Sequence, residues 1–274
     1  MHRILTPLLA TTGLIVGLQA ATAADMGVPL KAPPAAPPPS WTGFYIGVQG
    51  GGGWGTSESQ ADVGTFVDQL ITLNGGTVTS PLVLSVPGPQ VNYNGFLGGV
   101  DVGYNWQSGI FLVGWEGDFD GSSMQGNTAC VGAFNCSVKH NWVADITGRV
   151  GLIAHNDVLL YIKGGWAWAD SQYNIGNSIT FGTPATTLAA NASASGTLGG
   201  GLLGVGAEYM ITPNLFARLE YDHIEFENQT FGFGITTTPV ITGLKIPNLN
   251  VTIHDSMNIV KGGIDYKFWS WGGP

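Results

Sequence analysis

The stretch Asp255-Ser256-Met257-Asn258-Ile259-Val260-Lys261-Gly262-Gly263-Ile264-Asp265-Tyr266-Lys267-Phe268 decides the fold. From Val260 onward every second residue (Val260, Gly262, Ile264, Tyr266, Phe268) is apolar or small. The intervening Lys261, Gly263, Asp265 and Lys267 carry three charges of mixed sign. Period two marks a strand with one greasy and one ionic face. In a soluble sheet the greasy face points inward; in a membrane barrel it points at lipid and the ionic face lines the interior.

Working outward from this end, seven further segments of 10 to 14 residues alternate in the same way: Gly43–Trp54, Gly95–Trp106, Ile110–Phe119, Asn141–Ile153, Val158–Ala169, Thr197–Met210 and Leu215–Phe226. Strands of about 9–11 residues cross a bilayer with tilt. The connections sort by parity. Gln107–Gly109, Ala154–Asp157 and Ile211–Asn214 are short, whereas Gly55–Asn94, Asp120–His140, Asp170–Gly196 and Glu227–His254 are long. That is the outer-membrane pattern of tight turns on one side and long loops on the other; a soluble sandwich has no reason to sort its loops so. Inside the first long connection, Thr65–Leu73 and Thr77–Val86 flank Asn74-Gly75 and read as a hairpin above the membrane. The other reading, two more wall strands, is opposed by Pro81.

Composition agrees. Only 10% of residues are charged, against about 25% in ordinary domains, and past the N-terminus no run nears the roughly 18 apolar residues of a membrane helix. Thirteen charges fall on the polar faces: Asp101, Glu116, Asp118, Asp145, Glu208, Glu220, Asp222, Asp265, Arg149, Lys163, Arg218, Lys261 and Lys267. Against lipid each mid-depth base would cost roughly 2–4 kcal/mol. Facing inward they can pair, so an inside-out barrel with a narrow ionic lumen is expected. A lipocalin-like barrel would instead show Phe111, Val113 and Trp115 to water, a patch soluble monomers do not tolerate. Tryptophans other than the mid-strand Trp115 sort to the strand ends, as interfacial girdles require: Trp41, Trp106, Trp269 and Trp271 on the turn side, Trp54, Trp142, Trp166 and Trp168 near the long loops.

Residues 1–23 read as a signal peptide, with His2 and Arg3, an apolar Leu8–Leu18 core and Ala21-Thr22-Ala23 before the cut. Residues 24–40 hold six prolines and read as an extended periplasmic spacer, leaving 41–274 for the barrel. Without the leader the chain has 8 basic and 18 acidic residues, which argues against nucleic acid as a partner. Cys130 and Cys136, in an exported chain and this close, are expected to form a disulfide; a metal site would want more ligands than Lys139 and His140 offer.

Catalytic signatures are thin. Gly199-Gly200-Gly201-Leu202-Leu203-Gly204 matches a dinucleotide string, but it follows no strand, opens no helix and stands among 43 glycines. No G-x-S-x-G, H-E-x-x-H or P-loop occurs. Asp222/His223 and His254/Asp255 are sequence neighbours, so within a strand each pair points to opposite faces. His140, His223 and His254 fall at the long-loop end, where haem or metal ligation is an alternative to simple solvation.

With these residues in hand, the chain resembles the outer-membrane β-barrel family of alphaproteobacterial immunogenic surface proteins, related in shape to the OmpA and OmpX barrels. The resemblance runs from Ala24-Asp25 to the end. It is carried by Trp41-Thr42-Gly43-Phe44-Tyr45-Ile46-Gly47, Thr147-Gly148-Arg149-Val150-Gly151, Tyr161-Ile162-Lys163-Gly164-Gly165, Arg218-Leu219-Glu220-Tyr221 and Gly262–Phe268. It implies an all-β, eight-stranded antiparallel transmembrane barrel with short periplasmic turns and long extracellular loops, exported to the bacterial outer membrane. It further implies that Tyr266 and Phe268 form the terminal signal read by the barrel-assembly machinery. The expected function is non-enzymatic: a structural, surface-displaying barrel without a cofactor. Passage of small solutes, and haem or host-ligand binding through the loops, are the alternatives.

Overall fold

Alternation continues well past the segments that announced it. The computed structural model describes residues 40–80, 82–130, 135–155, 157–181, 186–238 and 247–269. The leader, the spacer up to residue 39 and Trp271 lie outside them. The elements are β1 (Gly43–Asp62), α1 (Val63–Leu73), β2 (Ser85–Pro87), β3 (Val91–Ser108), β4 (Phe111–Ser122), β5 (Gln125–Ala129), β6 (Asn135–His155), β7 (Val158–Phe181), β8 (Thr186–Thr212), β9 (Leu215–Phe226), β10 (Gln229–Thr238) and β11 (Leu249–Trp269).

The chain is all-β apart from α1, and the strands make one antiparallel sheet. Pairing runs β1–β3–β4–β6–β7–β8–β9–β11, and β11 pairs back on β1 from Ala61↔Val251 to Phe44↔Trp269. Where β4 stops, β5 takes its place between β3 and β6. Where β9 stops, β10 takes its place between β8 and β11. Tight turns follow β3 and β8; the first places Gly109 at φ +62°, a left-handed conformation that favours glycine.

Much of what reads as long loop is therefore strand. β7 alone spans 24 residues, against the roughly 9–11 that cross a bilayer. The reason lies in β11. Its inward residues are Val251, Ile253, Asp255, Met257 and Ile259, then Lys261, Asp265 and Lys267. Its outward residues are Thr252, His254, Ser256 and Asn258, then Val260, Ile264, Tyr266 and Phe268. Parity is unbroken, but polarity inverts at Ile259/Val260. On one side of that boundary the wall is greasy outside and ionic inside; on the other it is polar outside and greasy inside, as a wall facing water must be.

The hairpin expected at Thr65–Val86 is not formed. Val63–Leu73 is a helix. Val63, Phe66, Val67, Leu70 and Ile71 repeat at helical spacing. Asp62 caps it, its carboxylate accepting from the Thr65 N–H at 3.0 Å. Asn74-Gly75, with Gly75 at φ +87°, ends the helix instead of turning a hairpin.

Three layers fill the interior. At the tight-turn end Trp41, Leu112, Leu159, Tyr161, Met210 and Phe216 pack together. Trp41 is thus no girdle residue: it is fully buried and stacks on Phe216 with ring centres 5.0 Å apart. The ionic residues lie next. Beyond them comes an apolar core that includes Leu97, Met124, Leu198, Leu202, Ile224, Phe226, Phe231 and Ile253.

Candidate functional site

The middle layer gathers charges from seven strands because alternate residues of each point inward. All thirteen expected side chains are buried, and so are Asp120, Gln49 and Asn105. Lys163 is the hub: its Nζ lies 2.6 Å from Glu220, 3.1 Å from Asp118, 3.3 Å from Glu116, 3.5 Å from Asp222 and 3.9 Å from Asp145. Lys261 reaches Asp118 at 2.9 Å and Glu220 and Asp222 at 3.3 Å. Arg149 spans Glu116 (3.1 Å) and Glu208 (2.6 Å), donates to Asn105 at 2.9 Å, and lies between the rings of Tyr45 and Tyr161. Arg218 joins Glu116, Asp101 and Asp265. Lys267 stays outside the cluster, donating to the Ser40 carbonyl over the Phe216 ring.

Burying this many charges costs several kcal/mol per ion unless each is paired. Sharing of cations offsets that cost, because Arg149, Lys163, Arg218 and Lys261 each touch several acids. Space explains part of the glycine content. A Cβ on Gly47 would lie 2.1 Å from an Asp265 oxygen and 2.4 Å from an Asp101 oxygen. Glu116, Asp118 and Glu220 lie close enough to hold a cation, but the Lys163 ammonium already contacts all three.

A polar island sits inside the apolar layer, beyond the Ile259/Val260 boundary. The Tyr93 and Tyr173 hydroxyls donate to Asp255, the latter at 3.2 Å. His140 Nε2 stands 3.5 Å from Asp255, and His140 Nδ1 is 2.9 Å from the Ser171 hydroxyl. Burial pushes the Asp255 carboxyl up to about 7 and the His140 imidazole down to about 4. The row of hydroxyl, imidazole and carboxylate has the residue types of a nucleophilic triad. Ser171 and His140 are fully buried, however, and the cavity beside Tyr173 holds about 40 Å³.

His140 is therefore no surface histidine. A register shift between His140 and Val143 is the cause: a bulge reverses parity, so His140 and Val138 face inward where simple alternation sends them out. The two neighbouring acid–histidine pairs split across the wall: Asp222 and Asp255 lie inside, His223 and His254 outside on either side of Glu225. Cys130 and Cys136 are bonded, with Cα atoms 5.6 Å apart. Tyr266 and Phe268 face outward and are more than half exposed.

A family model described as the outer membrane protein beta-barrel domain matches residues 20–238. The chain is 28% identical to the 31 kDa outer-membrane immunogenic protein of Brucella melitensis biotype 1 over 259 residues, 90% of this chain and 93% of that one. It is 29% identical to the 22 kDa outer membrane protein of Rhizobium leguminosarum bv. viciae over 198 residues, 72% of this chain and 70% of that one. Among solved structures, the outer membrane protein OprG from Pseudomonas aeruginosa aligns over 83% of this chain and 97% of its own, at 7% identity and a TM-score of 0.43.

Proposed function

The chain belongs to the outer membrane protein beta-barrel family and resides in the bacterial outer membrane, and from that premise we propose that it is a closed, non-enzymatic barrel that displays its polar end at the cell surface. Eight strands, β1, β3, β4, β6, β7, β8, β9 and β11, form the wall. A ring of that size leaves room only for side chains. The lipid belt runs from Phe111, Val113 and Phe268 up to Trp54, Phe119, Trp168 and Val260, all well exposed on the outer face. The tight turns lie in the periplasm, and the strand extensions, α1 and the Cys130–Cys136 bridge stand outside the cell. Residues 1–23 direct export, 24–40 form the periplasmic spacer, and Tyr266 and Phe268 engage the assembly machinery before meeting lipid.

The observation that carries the closed reading is the packing of the interior at three levels, with Arg149, Glu116, Lys163 and Glu220 at 3% exposure or less. Water-filled pores keep their lining residues solvated. Reconstitution into a planar bilayer should yield no steady conductance. Steady ion conductance by the folded protein would favour small-solute passage and defeat this reading.

A further inference from the structure

At the upper margin of the lipid belt the outer face carries a polar row that crosses four strands. Register sets Asn94 of β3 opposite Gln125 of β5, Gln125 opposite Lys139 of β6, and Lys139 opposite Gln172 of β7. Strands lie about 4.8 Å apart, so the row runs roughly 14 Å along the wall. All four side chains are exposed, and none has a hydrogen-bond or ion-pair partner among the described residues. They line a groove of about 640 Å³, with Asn127 and Asn174 one row higher. No carboxylate lines that groove, in a chain with 18 acids and 9 bases. Among the described residues Lys139 is also the one base outside the interior: Arg149, Lys163, Arg218, Lys261 and Lys267 are all buried. Asp170, the next outward residue below Gln172 on β7, is engaged by the Asn141 amide at 2.6 Å.

Asn94 pairs with Trp54, which tops the belt, and Phe96, 79% exposed, is the next outward residue below Asn94. On the far side of Phe96 a second groove, of about 360 Å³, is lined by Gly52, Trp54 and Val260 within the belt; it shares Asn94, Gly95 and Phe96 with the first. A free ammonium, amides able to donate and accept, and an apolar slot thus adjoin at the height where lipid headgroups meet acyl chains. We infer that one glycolipid with a phosphorylated sugar headgroup docks here. Lys139 takes the phosphate, Asn94, Gln125 and Gln172 hydrogen-bond the sugar hydroxyls, and an acyl chain lies in the slot beside Phe96. A phosphodiester lipid with a short headgroup would reach Lys139 and leave most of the amide row unused. The inference rests on the orientation proposed above, which puts this margin in the outer leaflet.

The test uses the full chain folded in detergent, with native mass spectrometry counting bound lipid A, a phosphorylated disaccharide glycolipid. One lipid A should be retained per chain. Lys139→Ala should weaken binding about tenfold, the scale of one charge-assisted hydrogen bond, and Lys139→Arg should keep it. Gly52→Leu should also weaken it, by filling the slot: a Cβ there meets only the Gly95 carbonyl, at 3.7 Å, so the wall accepts the side chain. Thr252→Ala, on the outer face of β11 away from the groove, should leave binding unchanged. Dephosphorylated lipid A should bind the wild type no better than lipid A binds the Lys139→Ala variant. Phosphatidylglycerol should bind the wild type about tenfold more weakly than lipid A does. Unaltered heat-modifiable electrophoretic mobility will establish that each variant folds. Equal lipid A affinity in the wild type and a Lys139→Ala/Gln172→Ala double variant would overturn the proposal, as would phosphatidylglycerol binding as tightly as lipid A. Neither readout depends on a pore, so these failures would leave the closed-barrel reading standing, whereas steady conductance would defeat that reading alone.

Discussion

Arg149 on β6 and Glu208 on β8 meet at 2.6 Å although their strands do not pair, β7 lying between them. The contact reaches over β7, whose Tyr161 ring lies against the Arg149 guanidinium. Arg149→Ala removes it together with the Glu116 and Asn105 contacts; Glu116 keeps Lys163 and Arg218, but buried Glu208 loses its cation. A loss of roughly 3–5 kcal/mol is expected, read as a lowered urea midpoint of the detergent-folded protein by tryptophan fluorescence. Lysine should rescue only part, since one ammonium cannot serve three acceptors in Arg149's fork geometry. A negligible loss would mean that water already solvates the site.

The outer belt can be mapped by labelling. Val205 is 53% exposed on β8 and Glu208 is buried. A nitroxide at 205 should be reached by lipid-soluble quenchers, and one at 208 should be shielded from them. The reverse pattern would turn the wall inside out.

His140 and Asp255 make opposed contributions to stability against pH. Asp255 has its folded value raised from 3.8 to about 7, so its contribution is full below about pH 4 and is lost as pH rises through about 7. His140 has its folded value lowered from 6.5 to about 4, so its contribution is present above about pH 6.5 and is lost as pH falls through about 4. Between these limits the two slopes cancel. Asp255→Asn should expose the histidine slope, with stability rising toward pH 6.5 relative to wild type. His140→Gln should expose the carboxylate slope, falling toward pH 7. Each slope is at most about 1.4 kcal/mol per pH unit. Urea midpoints across pH 4–7 decide the matter, and parallel curves for both variants would refute it.

The Cys130–Cys136 bridge closes a short ring between β5 and β6. Thiol labelling of the unreduced folded protein should find no free cysteine. Reduction should remove about 2–3 kcal/mol of loop-closure stabilisation, speeding hydrogen exchange between β5 and β6 while leaving the Arg149 layer unchanged.

What the sequence determined by itself was periodicity. Val260–Phe268 alternates so cleanly that its two faces are legible without any partner strand, and the same holds for the charged positions from Asp101 to Lys267. Alternation is local, so a reader of the chain can follow it. It fails where geometry depends on distant strands. The bulge after His140 reverses parity, and no residue there announces it; only register with β7 places His140 beside Asp255, a residue 115 positions away. The Val63–Leu73 helix had its own local signal, the Asp62 cap and a 3–4 spacing, but the Asn74-Gly75 turn competed with it. The strand extensions were hidden because their polarity is inverted: Thr252, His254 and Ser256 look like loop until the position of the membrane is known. Tertiary structure decided which charges meet, since Lys163 gathers acids from β4, β6 and β9 through closure of the sheet. Pairing across a ring is a non-local property that spacing along one strand does not encode.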